Sequence, residues 1–315
     1  MTELWKEKKE NSEKILEFLG SEGVNDSIIQ CIQTYLQEHP GENPEKIPTP
    51  RFAYYGKEIW EQALTAVLAG KNILLAGGKA TGKNVLAQNL AALFLRPMWN
   101  ISLHVNTDAA SLVGTDTFRD GQVTFRPGPV YECAAQGGFG ILDEINMAKN
   151  EALAVMHAVL DFRRSIDIPG YGSLELRPET RFIGTMNYGY AGTREMNEAL
   201  ASRFAVISMP TISQENLERL LGTQYPNLNP KSRSLFAQLF FDLNKKCASS
   251  EISTRALDLR GLLDAIDLMQ LGLAPLAALD MGITNKSFDS YERQLIRDVI
   301  AARIPAKLRT GQVFD

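Results

Sequence analysis

The chain has 315 residues, of which 44% are hydrophobic and 22% charged, and 33 basic against 37 acidic side chains give a formal charge of −4. This composition excludes a disordered chain, and the length fits two domains. No apolar run reaches the ~18 residues of a membrane span, and the charged start lacks the apolar region of a secretory signal. The three scattered cysteines form no disulfide framework or metal spacing. We therefore expect a cytoplasmic protein, and its slight acidity argues against sequence-independent binding to nucleic acid.

The first fifty residues form a helical extension in this interpretation. Residues 1–39 carry apolar side chains at helical spacing, which predicts two short amphipathic helices separated near Gly20 to Asn25. The segment from Pro40 to Pro50 then holds four prolines, which the interiors of helices and sheets both reject. It is predicted to be a linker.

From residue 51 to 210, short β-rich runs alternate with helical segments, which predicts an α/β domain with a parallel sheet covered by helices. The predicted strands are Asn72–Ala76, Trp99–His104, Gly138–Leu142, Arg181–Met186 and Ala205–Met209. Two inserted β-hairpins are predicted, at Thr115–Arg126 and at Ile166–Leu176.

Residues 211–315 are predicted to form a separate all-helical domain, because no strong strand run follows Pro210. The candidate helices are Glu215–Leu221, Ser232–Lys246, Thr254–Leu271 and Ser290–Arg303.

A glycine-rich loop stands between the first predicted strand and the helix that follows it. Such a loop wraps phosphates with its backbone N–H groups, the helix N-terminus adds a positive dipole end, and Lys83 would reach the terminal phosphates. The residue after the lysine is Asn84, where a phosphate-binding loop usually has Ser or Thr to bind Mg²⁺. An amide oxygen is also a hard ligand, so Asn84 could substitute, with Mg²⁺ affinity and turnover in doubt. The predicted nucleotide-binding residues are Gly77, Gly78, Lys79, Ala80, Thr81, Gly82, Lys83, Asn84 and Val85.

Two later strands also end on polar side chains. Asp143 and Glu144 follow the third predicted strand, where Asp143 would hold Mg²⁺ and Glu144 would orient and polarise the attacking water. Asn187 follows the fourth strand and would hold that water between the two phosphate-site strands. Taken alone, each could instead be a solvated turn or a helix cap.

These motifs, in this order, resemble an AAA+ ATPase. Leu142-Asp-Glu-Ile-Asn146, Arg126-Pro-Gly-Pro129 and Tyr190-Ala-Gly-Thr-Arg194-Glu are similar to motifs of the MoxR group, particularly its NorQ/CbbQ/GvpN branch. The resemblance covers about residues 51–265. It implies an αβα core with a parallel sheet, two hairpin inserts and a helical lid, which together bind ATP and Mg²⁺.

The resemblance also implies roles for single residues. Lys83 matches the Walker A lysine, Asp143 and Glu144 the Walker B pair, and Asn187 the sensor 1 residue. Arg203 matches the arginine finger that reaches a neighbouring subunit's nucleotide, although it could instead be a surface arginine in an ion pair. Arg255 matches the sensor 2 arginine, with Arg260 nearby as an alternative, and Arg194 could be the interface arginine. The implied catalytic residues are thus Glu144, Asn187, Arg203 and Arg255.

An arginine that acts on a neighbour requires a heterologous contact, which closes into a ring when the angle permits. The resemblance implies a homo-oligomeric ring, most often a hexamer, that remodels a client such as a von Willebrand A domain protein or a metalloenzyme complex. Two alternatives stay open. One is a nucleic-acid motor, because the same clade includes helicases, and the other is a nucleotide-gated scaffold with weak hydrolysis, because of Asn84.

Overall fold

A sheet of five parallel strands forms the centre of the first part of this computed structural model, in the spatial order Met98–Ser102, Phe139–Asp143, Arg181–Met186, Ile73–Gly77 and Ala205–Met209. The structure describes residues 2–119, 121–188, 196–254 and 258–315. The strands of the sheet are β1 (Ile73–Gly77), β2 (Met98–Ser102), β5 (Phe139–Asp143), β8 (Arg181–Met186) and β9 (Ala205–Met209), and the others are β3 (Gly114–Arg119), β4 (Gln122–Pro127), β6 (Ser165–Ile168) and β7 (Gly172–Glu175). The predicted α/β class and the five predicted strands are confirmed.

Both predicted hairpins are present as separate two-stranded antiparallel sheets. The strands β3 and β4 pair from Gly114 opposite Pro127 to Arg119 opposite Gln122, and β6 pairs with β7. Tyr171, in the turn of the second hairpin, donates a hydrogen bond from its hydroxyl to Asp116 Oδ1 of the first at 2.8 Å. Its ring also packs against Phe125, with centroids 5.2 Å apart. The two hairpins are therefore joined side by side.

Two layers of apolar side chains cover the sheet, because successive residues of a strand point to opposite faces. On β1, Ile73 and Leu75 pack into one cluster and Leu74 into the other. The first cluster contains the apolar faces of the first four helices, α1 (Glu3–Ser21), α2 (Asp26–Glu38), α3 (Lys57–Leu68) and α4 (Lys83–Leu93). On the other side, or linking the strands, are α5 (Ala109–Val113), α6 (Pro129–Gln136), α7 (Asn150–Leu153), α8 (Met156–Leu160) and α9 (Glu198–Ala201).

The two amphipathic helices predicted at the N-terminus are confirmed as α1 and α2, and they share the core of the sheet domain. Leu19 and Ile32 are fully buried in the same cluster as β1. Ser12 donates a hydrogen bond to the carbonyl of Leu93 at 2.7 Å, and the ring of Tyr35 meets Phe94 edge-on at 5.1 Å. Both contacts lie at the C-terminal end of α4, so these helices stabilise the end of α4 that is distant from the glycine-rich loop.

The chain divides into two compact units, one of Met1–Gly78 with Gly82–Pro210 and the other of Lys79–Thr81 with Thr211–Asp315. The helices of the second unit are α10 (Gln214–Gln224), α11 (Pro230–Ala248), α12 (Leu259–Gln270), α13 (Pro275–Gly282) and α14 (Ser290–Arg303). The helix predicted over Thr254–Leu271 is present as α12 from Leu259, where Asp258 accepts a hydrogen bond from the backbone N–H of Arg260 and caps it. Residues 255–257 of the predicted helix lie outside the residues that the structure describes. The sequence pattern also missed α13, which begins at a proline and has an apolar composition with a weak periodicity.

Candidate functional site

The glycine-rich loop leaves β1 at Gly77 and enters α4 at Lys83, as the sequence predicts. Its turn depends on left-handed backbone conformations, with φ of +59° at Ala80 and +80° at Gly82. A Cβ at Gly82 would lie 3.1 Å from the ring of Tyr54, so both the conformation and the close approach favour glycine. Gly78 has open space where a Cβ would point. The loop therefore leaves room beside its backbone at Gly78 and is closely packed at Gly82.

Lys83 points back into this loop. Its ammonium donates hydrogen bonds to the carbonyls of Gly77 at 3.0 Å and Gly78 at 2.7 Å. Burial lowers the pKa of Lys83 from 10.5 to about 8, while the nearby Asp143 and Glu144 carboxylates act in the opposite direction. The loop thus holds a buried cation at the point where the helix dipole is also positive, and an anion bound there would relieve the cost of burying that charge.

Asp143 and Glu144 lie at the carboxyl end of β5, and Asn187 directly follows β8. Because β8 lies between β5 and β1, the polar ends of these strands meet at one edge of the sheet. Asn187 donates a hydrogen bond from Nδ2 to Glu144 Oε1 at 3.4 Å. The backbone of Glu144 has a φ of +55°, and its exposed side chain stands beyond the end of the strand. Asn187 and Glu144, far apart in sequence, are therefore brought into contact.

Thr185 is a site residue that the sequence did not single out. It is buried on β8, and its hydroxyl donates a hydrogen bond to Asp143 Oδ1 at 2.6 Å. The hydroxyl oxygen of Thr185 also accepts a hydrogen bond from the backbone N–H of Glu144 at 3.1 Å. One threonine thus fixes both acidic residues. The available signal was a hydroxyl within the otherwise apolar run from Phe182 to Met186. Threonine is also a common β-strand residue, so the pattern alone does not distinguish a strand residue from a positioning hydroxyl.

Asn146 supports the same edge and was likewise missed as a separate residue. It is buried, and its Nδ2 donates to the carbonyl of Asn187 at 2.8 Å. The hydroxyl of Tyr188 donates to the carbonyl of Ala76 at 3.3 Å, which ties the end of β8 to the end of β1. Asn187 and Tyr188 are therefore held by the residues that follow β5 and by the end of β1.

Arg203 lies between α9 and β9, and its hydrogen bonds are made with residues outside the cluster of Lys83, Asp143, Glu144 and Asn187. Its Nε donates to the carbonyl of His157 at 3.2 Å, its Nη1 donates to the carbonyl of Ala199, and its Nη2 lies 3.5 Å from Asp161 Oδ2. The ion pair that the sequence left open as an alternative is thus present. Arg194 and Arg255 lie outside the residues that the structure describes.

The donor set fits a nucleotide with Mg²⁺. Asp143 has one oxygen fixed by Thr185 and a second that can reach a cation, and Asn84, half-buried in the first turn of α4, offers a neutral amide oxygen. Within the described residues, no cluster of three or more His, Cys, Asp or Glu side chains could enclose a metal. Mg²⁺ at nucleotide sites is usually held by one or two protein ligands, with phosphate oxygens and water as the others.

Among the residues that the structure describes, no helix has both the length and the apolar character needed to cross a membrane.

The sequence family described as AAA domain (dynein-related subfamily) matches residues 72–204. The Bacillus subtilis protein YojN is 36% identical over 259 residues, which are 80% of this chain and 84% of YojN. The Staphylococcus haemolyticus protein SH1500 is 32% identical over 78% of this chain and 95% of its own length. Both relatives carry the name uncharacterized protein. A crystal structure from Cytophaga hutchinsonii aligns with 94% of this chain and 98% of its own at 13% identity, with a TM-score of 0.45, which is too weak a similarity to add to the assignment.

The matched residues run from the residue before β1 to the residue before β9, and so contain the glycine-rich loop, Asp143, Glu144, Asn187 and Arg203. The sequence match and the five-stranded parallel sheet both indicate an AAA domain. The chain belongs to the AAA family, with an AAA domain of the dynein-related subfamily.

Proposed function

We propose that this protein is a Mg²⁺-dependent ATPase that assembles into a hexameric ring and uses ATP to remodel or mature a partner protein in the manner of MoxR chaperones. The observation that carries the proposal is the meeting of Lys83, Asp143, Glu144 and Asn187 at one edge of the sheet. The client would be a separate chain, such as a von Willebrand A domain protein or a metalloenzyme complex.

In this proposal Lys83 binds the terminal phosphates, and the first-turn backbone of α4 surrounds them. Asp143 and Asn84 would hold Mg²⁺, which would neutralise charge on the phosphate oxygens. Glu144, held by Asn187, orients a water molecule and accepts its proton as the water adds to the γ-phosphorus and the bond to ADP breaks. Arg203 of one subunit stabilises the charge on a neighbour's phosphate. Arg255 would act within the subunit, with Arg260 or Arg194 as alternatives for the arginine roles.

ATP turnover by the purified protein tests the activity, and added DNA tests the alternative of a nucleic-acid motor. We expect phosphate release that requires Mg²⁺ and does not change with DNA. Stimulation by DNA that weakens as salt rises would favour the motor instead.

A second candidate is a nucleotide-gated scaffold, which the amide of Asn84 favours because a hydroxyl is the usual Mg²⁺ ligand at that position. The variant Asn84→Thr distinguishes the ATPase from the scaffold. An ATPase whose metal site includes Asn84 should need less Mg²⁺ for half-maximal turnover in this variant. A scaffold would bind ATP and show only weak turnover, with or without the substitution.

Thr185→Val is expected to raise the Mg²⁺ concentration for half-maximal turnover, because the carboxylate of Asp143 loses the hydroxyl that fixes it. It should also lower the free energy of unfolding by about 1–3 kcal/mol, since two polar groups lose a buried partner. Thr180→Val is the matched control. Thr180 is also buried, and its hydroxyl donates to the carbonyl of Ala134 at 3.2 Å, at the opposite end of β8. This control should lose stability with no change in Mg²⁺ dependence, and the same Mg²⁺ shift in both variants would contradict the role of Thr185.

ATP binding is expected to take up protons above pH 8. Without nucleotide the pKa of Lys83 is about 8, so at pH 9 most of the protein has a neutral amine, whereas bound phosphates favour the ammonium. The affinity for ATP should therefore fall as the pH rises through 8. Calorimetry at pH 9 in two buffers of different ionisation enthalpy measures the uptake, expected near one proton per ATP. Lys83→Arg, which stays charged, should show none, and equal uptake in both proteins would place the titration elsewhere.

A further inference from the structure

The loop between α8 and β6 contains a carboxylate that binds two arginines. Asp161 follows the last residue of α8, and its Oδ1 accepts hydrogen bonds from the backbone N–H of Arg163 at 3.0 Å and from Arg163 Nε at 3.1 Å. Its Oδ2 accepts from Arg163 Nε at 3.2 Å and Nη2 at 2.7 Å. The hydrogen bond from the Arg163 side chain is the main reason why the pKa of Asp161 is lowered to about 2, so the carboxylate stays ionised at any physiological pH.

The second arginine is Arg203, whose Nη2 lies 3.5 Å from the same Oδ2. Arg203 also donates to two backbone carbonyls, at His157 and Ala199, which direct its guanidinium. Within ion-pair distance, one carboxylate thus serves two guanidinium groups. This pair of arginines has more positive charge than Asp161 can neutralise.

The two arginines differ in exposure. The side chain of Arg163 is 52% exposed, that of Arg203 24%, and that of Asp161 only 12%. The next residue along the chain, Arg164, turns inward instead and donates to the carbonyls of Arg177 at 2.9 Å and Thr180 at 3.2 Å. Arg164 is therefore structural, while Arg163 presents its guanidinium at the surface beside Arg203.

A phosphate from outside the subunit can reach Arg163, because its side chain is 52% exposed. An ion pair with an exposed arginine contributes little net stability, and a phosphate has more charge and more acceptor oxygens than a carboxylate. The guanidinium of Arg163 has five N–H donors and uses Nε and Nη2 on Asp161, so it can also donate to a phosphate while Asp161 holds it. Arg203 keeps its two carbonyl contacts in the same way. A phosphate that approaches this surface would meet two directed guanidinium groups.

The surface around Arg163 is also apolar at one point. Phe162, between Asp161 and Arg163, is 92% exposed. A phenylalanine with almost its whole side chain in water is unfavourable in an isolated subunit, and aromatic residues beside arginines are typical of protein–protein contacts. A second copy that covers Phe162 would bring its own surface next to both arginines.

We infer that Arg163 is a second arginine that acts on the nucleotide of a neighbouring copy, next to Arg203, with Asp161 as the positioning residue for both. The inference rests on the proposed trans role of Arg203. It assigns the Asp161–Arg163 loop to the contact between two copies of this chain, with Phe162 packed against the neighbour and the phosphates of the neighbour's ATP between the two guanidinium groups.

The test is Arg163→Ala, with Arg177→Ala as the matched control. Arg177 also has an exposed side chain and a two-fold contact with one carboxylate, from its Nη1 and Nη2 to Glu42 at 2.6 and 3.0 Å. Arg163→Ala should lower kcat by about 10-fold or more, with ATP binding by the separate subunit unchanged, and Arg177→Ala should stay within about twofold of wild type. Arg163→Lys, which keeps the charge and loses the planar fork, should fall between.

Mixing Arg163→Ala protein with Glu144→Gln protein distinguishes a role of Arg163 at the neighbour's nucleotide from a purely structural role. Protein with Arg163→Ala has an intact Glu144, and protein with Glu144→Gln has an intact Arg163, so a mixed ring contains some contacts with both. We expect the mixture to regain turnover that neither protein has alone. Full activity of Arg163→Ala, or a loss that mixing does not restore, would overturn the inference. If Arg203→Ala is restored by mixing and Arg163→Ala is not, this inference fails and the proposed function stands. If Arg203→Ala is not restored either, the trans site of the proposed function fails.

Discussion

Lys83→Met is expected to weaken ATP binding by about 100-fold or more, equivalent to about 3 kcal/mol. The ammonium is buried between the carbonyls of Gly77 and Gly78 at the start of α4, and methionine keeps its length and packing without a charge. The measurement is titration with a fluorescent ATP analogue at pH 7, where Lys83 is protonated, as the pKa near 8 requires.

The loss should come from the missing charge and not from unfolding. In the nucleotide-free protein the buried ammonium is unfavourable, while the two carbonyls benefit from its hydrogen bonds. These effects oppose each other, so we expect the free energy of unfolding of Lys83→Met to stay close to that of wild type. Lys71→Met is the control, because Lys71 is exposed before the amino end of β1, at the opposite edge of the sheet. Equal ATP affinity in Lys83→Met and wild type would contradict the phosphate-binding role.

Glu144→Gln is expected to bind ATP normally and to lose turnover by about 100-fold or more, since an amide cannot accept the proton of the attacking water. The amide keeps the size of the side chain and an oxygen that can accept from Asn187 Nδ2. Single-turnover phosphate release with saturating ATP and Mg²⁺ measures the effect on the chemical step.

Glu10→Gln provides the control for the loss of one carboxylate, because Glu10 is exposed on α1, whose contacts lie at the far end of α4. It should retain wild-type turnover. If Glu144→Gln hydrolyses ATP as fast as Glu10→Gln, the assignment of Glu144 as the residue that activates water is wrong. If instead it fails to bind ATP, its role is structural.

The parts of the fold that could be predicted are those in which the local sequence pattern favours the same element that the tertiary fold contains. The segment from Ile73 to Val85 has an apolar strand, a glycine turn and an apolar helix in direct succession, and each part favours the same strand–loop–helix unit. The five strands were found because their apolar runs are bounded by turn residues. The start of α12 at Leu259 was not predicted, because the pattern of apolar residues continues N-terminal to Asp258, and a cap depends on one side-chain hydrogen bond.

The parts that were not predictable depend on contacts between distant residues. Thr185 contacts Asp143 across 42 positions, and Arg203 meets Asp161 over the same separation. Nothing in the sequence near Thr185 distinguishes a strand residue from a positioning hydroxyl. The burial of α1 and α2 in the core of the sheet domain was likewise unpredicted, because an amphipathic pattern identifies an apolar face and not its partner.

In the proposed function, ATP hydrolysis at one subunit depends on Arg203 of the next subunit. The most direct measurement mixes Arg203→Ala protein, which keeps Glu144, with Glu144→Gln protein, which keeps Arg203, and follows phosphate release against the mixing ratio. Each protein alone should be nearly inactive. In an equal mixture about a quarter of the contacts combine an intact Glu144 with an intact arginine from the neighbour, so turnover should rise to about a quarter of the wild-type rate. Turnover that stays at the level of the separate proteins at every ratio would contradict the claim.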